Sequence, residues 1–256
     1  MVGRENKPKQ IMGLLGKNIS YSFSRGYFTE KFTKEELSDH EYVNFDIQSI
    51  DEFPSVIREF KNHLKGLNVT IPYKQDIFSF LDDIDEVAKE VGAVNTVCMT
   101  KKGKLKGYNT DIIGFRNSLK PLLRASHTKA LILGTGGASR AVAYVLKSMG
   151  ITYLKVSRYP KKKSEISYAE LNNQFLTTHT VIINCTPLGT FPHIALKPNL
   201  PYLFLNESHL LYDLVYNPEM TSFLKEGKSR GTQIKNGLEM LELQAEASWH
   251  LWNQSC

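Results

Sequence analysis

"TKALILGTGGASRAVAYVLKSMG", Thr128 to Gly150, decides the architecture of the second half of the chain. Ala130 to Leu133 is a short apolar run of the kind that forms a buried strand. Gly134, Gly136 and Gly137 follow at once, and an amphipathic helix is expected from about Gly137 to Met149, closed by Gly150. Glycine permits a tight turn and lets a pyrophosphate approach the backbone. The helix N-terminus offers N–H groups and the positive end of its dipole. The third position of the GxGxxG fingerprint is Ser139, so the strict pattern fails. A plain turn between strand and helix remains open, but the strand–turn–helix setting favours a nucleotide site.

Downstream, "TYLKVS", "TVIINC" and "LYDLVY" read as further strands. An acidic residue at the end of the first of these would hold the ribose 2′-hydroxyl of NAD. The sequence gives Ser157 and Arg158 instead. A guanidinium clasps a 2′-phosphate bidentately and stacks on adenine, so NADP is the expected cofactor. The bland alternative is a surface arginine after a strand.

Upstream, "IMGLLG" (Ile11 to Gly16), "YVNFDI" (Tyr42 to Ile47) and "GLNVTI" (Gly66 to Ile71) read as strands. In the last, Asn68 to Ile71 alternate polar and apolar, the pattern of a half-buried strand, and Pro72 ends it. Helices are expected through Phe28 and Phe32, after a cap at Ser49 or Asp51, and before Gly92. A hairpin is expected around Lys102 and Gly103. "NGLEMLELQAEASWHLW" is a last helix with Leu238, Leu241, Ala245 and Trp249 on one face. Strands alternating with helices imply an α/β chain with largely parallel sheets, and a boundary falls near Asn109 to Asp111.

Polar residues gather at the strand ends of this first half. Ser20, Ser22 and Ser24 alternate along an extended segment, so their hydroxyls share a side. Two convergent hydroxyls suit a carboxylate, although serines ahead of a helix also serve as caps. Asn68, Thr70, Lys74, Asn95, Asn109, Thr110 and Asp111 add donors and acceptors. Each alone reads as a turn or cap residue, with Asp111 a natural N-cap. A Lys74–Asp111 pair also reads as a surface ion pair worth ~0–1 kcal/mol.

Composition narrows the classes. The chain has 256 residues, 41% hydrophobic, and a formal net charge of +6, enough for two modest domains or one large α/β domain with a real core. The basic residues are scattered apart from Lys161, Lys162 and Lys163, which read as a solvated loop rather than a nucleic-acid stripe. Cys98, Cys185 and Cys256 show no CxxC spacing, and an odd count without a signal peptide fits a reducing cytoplasm. No apolar run approaches a membrane span, and "MVGRENKPKQ" is too polar for a secretory signal.

The stretches "SYSFS", "GLNVTIPYK", "GAVNT", "GYNTD", "GTGGASRA", "NCTPLGT", "DLVYNPEMT" and "NGLEMLELQA" occur in an order and spacing that resembles the shikimate dehydrogenase family nearly end to end. The resemblance implies a mixed-sheet α/β substrate domain over residues 1–108, completed by C-terminal helices in 236–256. It also implies a Rossmann-like NADP-binding domain over 109–235, with a cleft between the two. It implies that Ser22 and Ser24 bind the substrate carboxylate, and that Asn68, Thr70, Asn95 and Gln244 hold ring hydroxyls. Lys74 and Asp111 are implied as the catalytic pair. Gly134, Gly136, Gly137 and Ala138 would cradle the pyrophosphate, and Ser157 and Arg158 would read the 2′-phosphate. Thr186, Pro187, Gly189, Val215 and Gly237 would line the nicotinamide end, where Tyr216 would also reach substrate.

The implied reaction is reversible, metal-free reduction of 3-dehydroshikimate by NADPH, on the route through chorismate to the aromatic amino acids. A cytoplasmic monomer or homodimer acting on a small molecule, without nucleic acid or membrane, is expected. A quinate or related hydroxy-acid dehydrogenase is the alternative within the family, and the intact Ser22 and Ser24 favour shikimate. A non-catalytic NADP sensor is the alternative outside the enzymes, and the presence of Lys74 and Asp111 weighs against it. The chain departs from the family's usual pattern at Asn18 to Tyr21, at Arg25 and at Glu239, which bears on loop shape rather than chemistry.

Overall fold

The computed structural model describes residues 9–20, 22–162 and 164–254. Tyr21, Lys163, Cys256 and most of the N-terminal segment read above lie outside the described residues. The chain divides into two compact units, one running to Thr110 and including the residues from Ala245 onward, the other covering Asp111–Gln244.

The first unit contains β1 (Gln10–Gly16), α1 (Phe23–Lys34), β2 (His40–Asp46), α2 (Phe53–Phe60), β3 (Leu64–Val69), β4 (Asp83–Ile84), α3 (Glu86–Val91), β5 (Thr96–Met99) and β6 (Leu105–Tyr108). Local chemistry sets several ends. Ser49 and Glu52 form a capping box on the turn that leads into α2. Asp85 caps α3, and Gly92 ends it in the left-handed conformation at φ 68°. Gly103, at φ 72°, lies between β5 and β6, which pair antiparallel.

The sheet order is β2-β1-β3-β5-β6-β4. β1 is parallel to both neighbours, whereas β5 is antiparallel to β3 and β6. The sheet is therefore mixed, and the alternation of strands and helices foretold only its parallel half.

Successive residues of a strand face opposite sides. Leu15, Leu67, Val69 and Val97 join Phe53, Tyr73 and Ile77 on one face. Met12, Leu14 and Cys98 join Phe28, Tyr42, Ala245 and Trp252 on the other. β3 is thus covered on both sides, and the expectation of a half-buried strand fails. Asn68 is only 4% exposed, and the exposed apolar residue is Ile71, at 75%, beyond the strand's end. Gly66 is required where it stands, because a Cβ there would collide with the Trp252 indole. That indole donates to the Val97 carbonyl at 3.1 Å.

The second unit contains α4 (Asp111–Leu119), β7 (Lys129–Leu133), α5 (Gly137–Ser148), β8 (Thr152–Ser157), β9 (Glu165–Ser167), α6 (Asn173–Thr178), β10 (Val181–Asn184), β11 (Leu210–Asp213), α7 (Ser222–Ser229) and β12 (Gln233–Lys235). α8 (Leu238–Gln254) starts in this unit and ends in the first. All its strands are parallel, in the order β9-β8-β7-β10-β11-β12. Numbered within the unit, that is the 3-2-1-4-5-6 order of doubly wound dinucleotide folds, with the switch point between β7 and β10. The buried face of α8 carries Met240, Gln244, Ala245, Ser248 and Trp252. The face read from apolar spacing was wrong at Leu238, which is exposed, because two of the buried positions are polar. Among the described residues, no helix is long and apolar enough to cross a membrane.

Candidate active site

In the first unit the polar side chains converge near the C-terminal ends of β1 and β3. Ser22 stands at the N-cap position of α1, yet its side chain makes no capping bond. Its Oγ is shielded from solvent and has no partner among the described residues. The cap reading therefore fails for Ser22, and a buried hydroxyl without a partner costs about 1–3 kcal/mol unless something fills the gap. Ser24 is buried. Burial pushes the Tyr42 hydroxyl well above its ordinary range, and the pull of Ser24 only partly offsets this. The phenol stays protonated and donates to Asn68 Oδ1 at 2.9 Å.

Asn68 Nδ2 donates in turn to Ser248 Oγ at 2.8 Å. Ser248, Thr96 and Thr110 form a buried triangle of hydroxyls with edges of 2.9, 3.0 and 3.1 Å. Asn95 Oδ1 accepts from the Thr110 N–H at 2.6 Å and from both threonine hydroxyls at 3.1 Å. Tyr42, Asn68 and Asn95 thus belong to one buried, uncharged chain of hydrogen bonds. Thr70 lies one residue past β3, half-buried, with its N–H still bonded to Leu15 O at 2.9 Å. Lys74 is half-buried in the following turn, and its carbonyl accepts from Val94 N–H at 2.8 Å. Asn109 spends its amide nitrogen on Ala93 O at 2.8 Å, which leaves a shielded Oδ1 without a partner among the described residues.

In the second unit Asp111 is the first residue of α4 and is buried, one position later than the N-cap read from sequence. α4 packs on α8 at Gly114, where a Cβ would strike Met240 O and crowd Gln244. Gln244 is buried, with Nε2 donating to Leu241 O at 3.0 Å.

The glycine turn lies at the switch point. Gly134 is left-handed at φ 103° and sits against Thr186. A Cβ on Gly136 would meet nothing within 4 Å, so the space before α5 is open. α5 has no capping side chain and no acidic residue in its first turn, which begins Gly137, Ala138. Ser139 replaces the third glycine without harm, since it is buried and donates to Gly136 O at 2.7 Å. Ser157 ends β8, and Arg158 follows it, exposed. Lys155 is held below its ordinary pKa by burial first and by Arg140 and Lys162 next. Crowded cations and an open helix N-terminus fit a phosphorylated dinucleotide.

One buried carboxylate fixes the loops at the other end of this turn. Asp213 accepts from Asn184 Nδ2 at 2.9 Å, from Val215 N–H at 3.0 Å and from Thr221 Oγ1 at 2.6 Å. Asn184 Oδ1 accepts from the Thr186 hydroxyl at 2.7 Å. Pro187 and Gly189, the latter at φ 94°, continue this loop. Gly237 donates to Val215 O at 3.2 Å, and a Cβ there would collide with the Leu214 carbonyl. Tyr216 is half-buried beside Val215.

A family model described as the shikimate dehydrogenase substrate binding domain matches residues 14–97. The NADP(+) shikimate dehydrogenase of Desulforamulus reducens is 34% identical over 97% of this chain and 91% of that protein. Its counterpart from Clostridium botulinum strain Hall is 37% identical over 94% of this chain and 95% of that one. The chain belongs to the shikimate dehydrogenase family. The crystal structure of the Thermus thermophilus shikimate 5-dehydrogenase with NADP(H) and shikimate matches at a TM-score of 0.83 and 29% identity, over 95% of this chain and 93% of that one.

Two departures from the usual pattern of shikimate dehydrogenases have local explanations. Asn18 adopts φ 56°, a conformation that asparagine tolerates better than most residues. Asp46 accepts from the N–H groups of Asn18 and Ile19 at 2.8 and 3.2 Å, so a carboxylate holds this loop. Glu239 pairs with Lys235 one turn away. Sequence reading missed Tyr42, Ser248, Asn184, Asp213 and Lys155. A polar residue inside an otherwise apolar strand was the available signal for Asn184 and Asp213, since both end "VIIN" and "LLYD".

Proposed function

We propose that the protein is an NADP-dependent shikimate dehydrogenase that interconverts 3-dehydroshikimate and shikimate. The observation that carries the reading is the buried, uncharged wall of carboxamides and hydroxyls around Asn68 and Asn95, with Lys74 on the turn that follows β3. Such a wall suits a neutral ring bearing several hydroxyls. The Ser22 hydroxyl, which has no partner among the described residues, suits the ring's carboxylate together with Ser24.

NADP, when bound, supplies or accepts the hydride. Gly136 leaves room for its pyrophosphate at the α5 N-terminus, and Ser157 and Arg158 take its 2′-phosphate. In the reducing direction negative charge builds on the substrate's ketone oxygen. The Lys74 ammonium stabilises that charge and donates the proton, and in the oxidising direction its amine takes the proton back. Asp111 acts as the carboxylate of the catalytic pair, accepting from a substrate hydroxyl. Asn68, Thr70, Asn95 and Gln244 fix the ring, so the reacting carbon is presented in one orientation.

The test is steady-state reduction of NADP+ with shikimate and quinate side by side, repeated with NAD+. Shikimate with NADP+ is expected to give a kcat/KM at least roughly tenfold above either substitution. A preference for quinate or for NAD+, or no reduction at all, would overturn the assignment.

A further inference from the structure

We propose that Asn109 is a positioning residue that holds the backbone of Lys74 through one peptide group, the link between Ala93 and Val94, and so fixes where the Lys74 ammonium stands. The proposal rests on the functional reading above. All four residues belong to the first unit. Asn109 follows β6, and its Nδ2 donates to the Ala93 carbonyl at 2.8 Å. The N–H of that same peptide group, on Val94, donates to the Lys74 carbonyl at 2.8 Å. A peptide group is planar and stiff, so fixing its oxygen also aims its N–H. A bond accepted at the oxygen polarises the group and strengthens the bond that the N–H donates. Ala93 and Val94 are 1% and 0% exposed, so water does not stand in for either bond.

Tyr73 fixes the other side of Lys74. Its N–H donates to Thr70 O at 3.0 Å, and its hydroxyl donates to Ile47 O at 2.8 Å. Lys74 is thus held at the residue before it and at its own carbonyl. The ammonium sits at the end of a long stem rooted in that backbone, and a proton donor displaced by about 1 Å loses much of its effect. Stability alone does not account for an asparagine here. Asn109 is 8% exposed, and its Oδ1 has no partner among the described residues. A leucine of similar volume would leave no such acceptor, so the value of the amide lies in what Nδ2 holds.

The experiment compares the wild type, Asn109→Leu, Lys74→Ala and the double variant. Leucine keeps the volume and removes the donor. The melting temperature of Asn109→Leu should change little, because one buried orphan, Asn109 Oδ1, is lost as another, the Ala93 oxygen, is made. With shikimate and NADP+, kcat should fall roughly tenfold or more, while the shikimate KM and the NADP+ Kd move less than about twofold. In the residual turnover of Lys74→Ala, adding Asn109→Leu should change kcat less than about twofold, because the group it positions is gone. In the ligand-free protein, Asn109→Leu should speed amide hydrogen exchange at Val94 at least roughly tenfold and leave the amides of β1 unchanged. Asn109→Ala takes the place of the leucine variant if that one does not fold.

An unmoved kcat in Asn109→Leu would overturn the proposal. So would equal losses of kcat with and without Lys74, since that pattern belongs to a purely structural role. If the wild type does not turn over shikimate, the functional reading fails by itself. The link is then read from Val94 alone, where faster exchange in the variant supports it. Unchanged exchange at Val94 overturns the link in either case.

Discussion

Ser22 occupies the place of a helix cap and caps nothing, while Arg158 follows a strand end where an acidic residue would have selected the other cofactor. Both positions stand out in the sequence because each is marked by its neighbours in the chain, one ahead of a helix and the other after a strand. Arg158 carries a sharp prediction. The 2′-phosphate is the only group that separates NADP from NAD, so Arg158→Ala should raise the NADP+ KM roughly tenfold and leave the NAD+ KM nearly unchanged. The neighbouring Lys161 and Lys162 are exposed cations that can partly substitute, so the same measurement belongs on a variant that also neutralises them. Equal weakening of both cofactors would place Arg158 on a group they share, and weakening of neither would end its role as the 2′-phosphate reader. Tyr42 and Ser248 were not legible. Their partner Asn68 is 26 and 180 residues away, and nothing local distinguishes them from core or helix-surface residues.

Strand ends, rather than whole elements, carry the chemistry. β10 and β11 are short apolar runs whose last residues, Asn184 and Asp213, are buried and polar. Asp213 ties together the loops that hold Thr186, Val215 and Thr221. Burial raises its pKa to about 6, against the lowering pull of Thr221, Val215 and Asn184. The folded state therefore binds this proton more tightly than the unfolded state does. The stability it contributes is full below pH 3.8, the unfolded value, and is lost as pH rises through about 6.

Between pH 4.5 and 7 the loss is about 2 kcal/mol. For a chain of this size that corresponds to roughly 4–8 °C in melting temperature. Asp213→Asn should lack this component. Thermal unfolding at the two pH values should show the wild type losing that much more than the variant on going to pH 7. Parallel changes in the two proteins would mean that Asp213 ionises in the fold as it does in the unfolded chain. Apolar periodicity located β10, β11 and α8, but it misread the face of α8. Period-counting assigns polar residues to solvent, and Gln244 and Ser248 face inward.

At the scale of the molecule, the glycine turn after β7 and the strands that follow it were enough to read a second α/β unit, because strand, turn and helix are contiguous in sequence, whereas its doubly wound order came from the family resemblance. The antiparallel pairing of β3 with β5 was hidden, since the intervening residues 70–95 also contain helix and turn signals. The late return of α8 to the first unit was likewise invisible to local pattern and came only from family resemblance. The fold and the residues it gathers support one central claim, that this chain transfers hydride between NADP and the carbinol carbon of shikimate. The direct measurement uses shikimate carrying deuterium on the carbon whose hydroxyl is oxidised. After incubation with NADP+ and the protein, the reduced cofactor is examined by mass spectrometry and proton NMR. One deuterium is expected on the nicotinamide ring of each NADPH formed, on a single face. Reduced cofactor without deuterium, or no reduced cofactor, would contradict it.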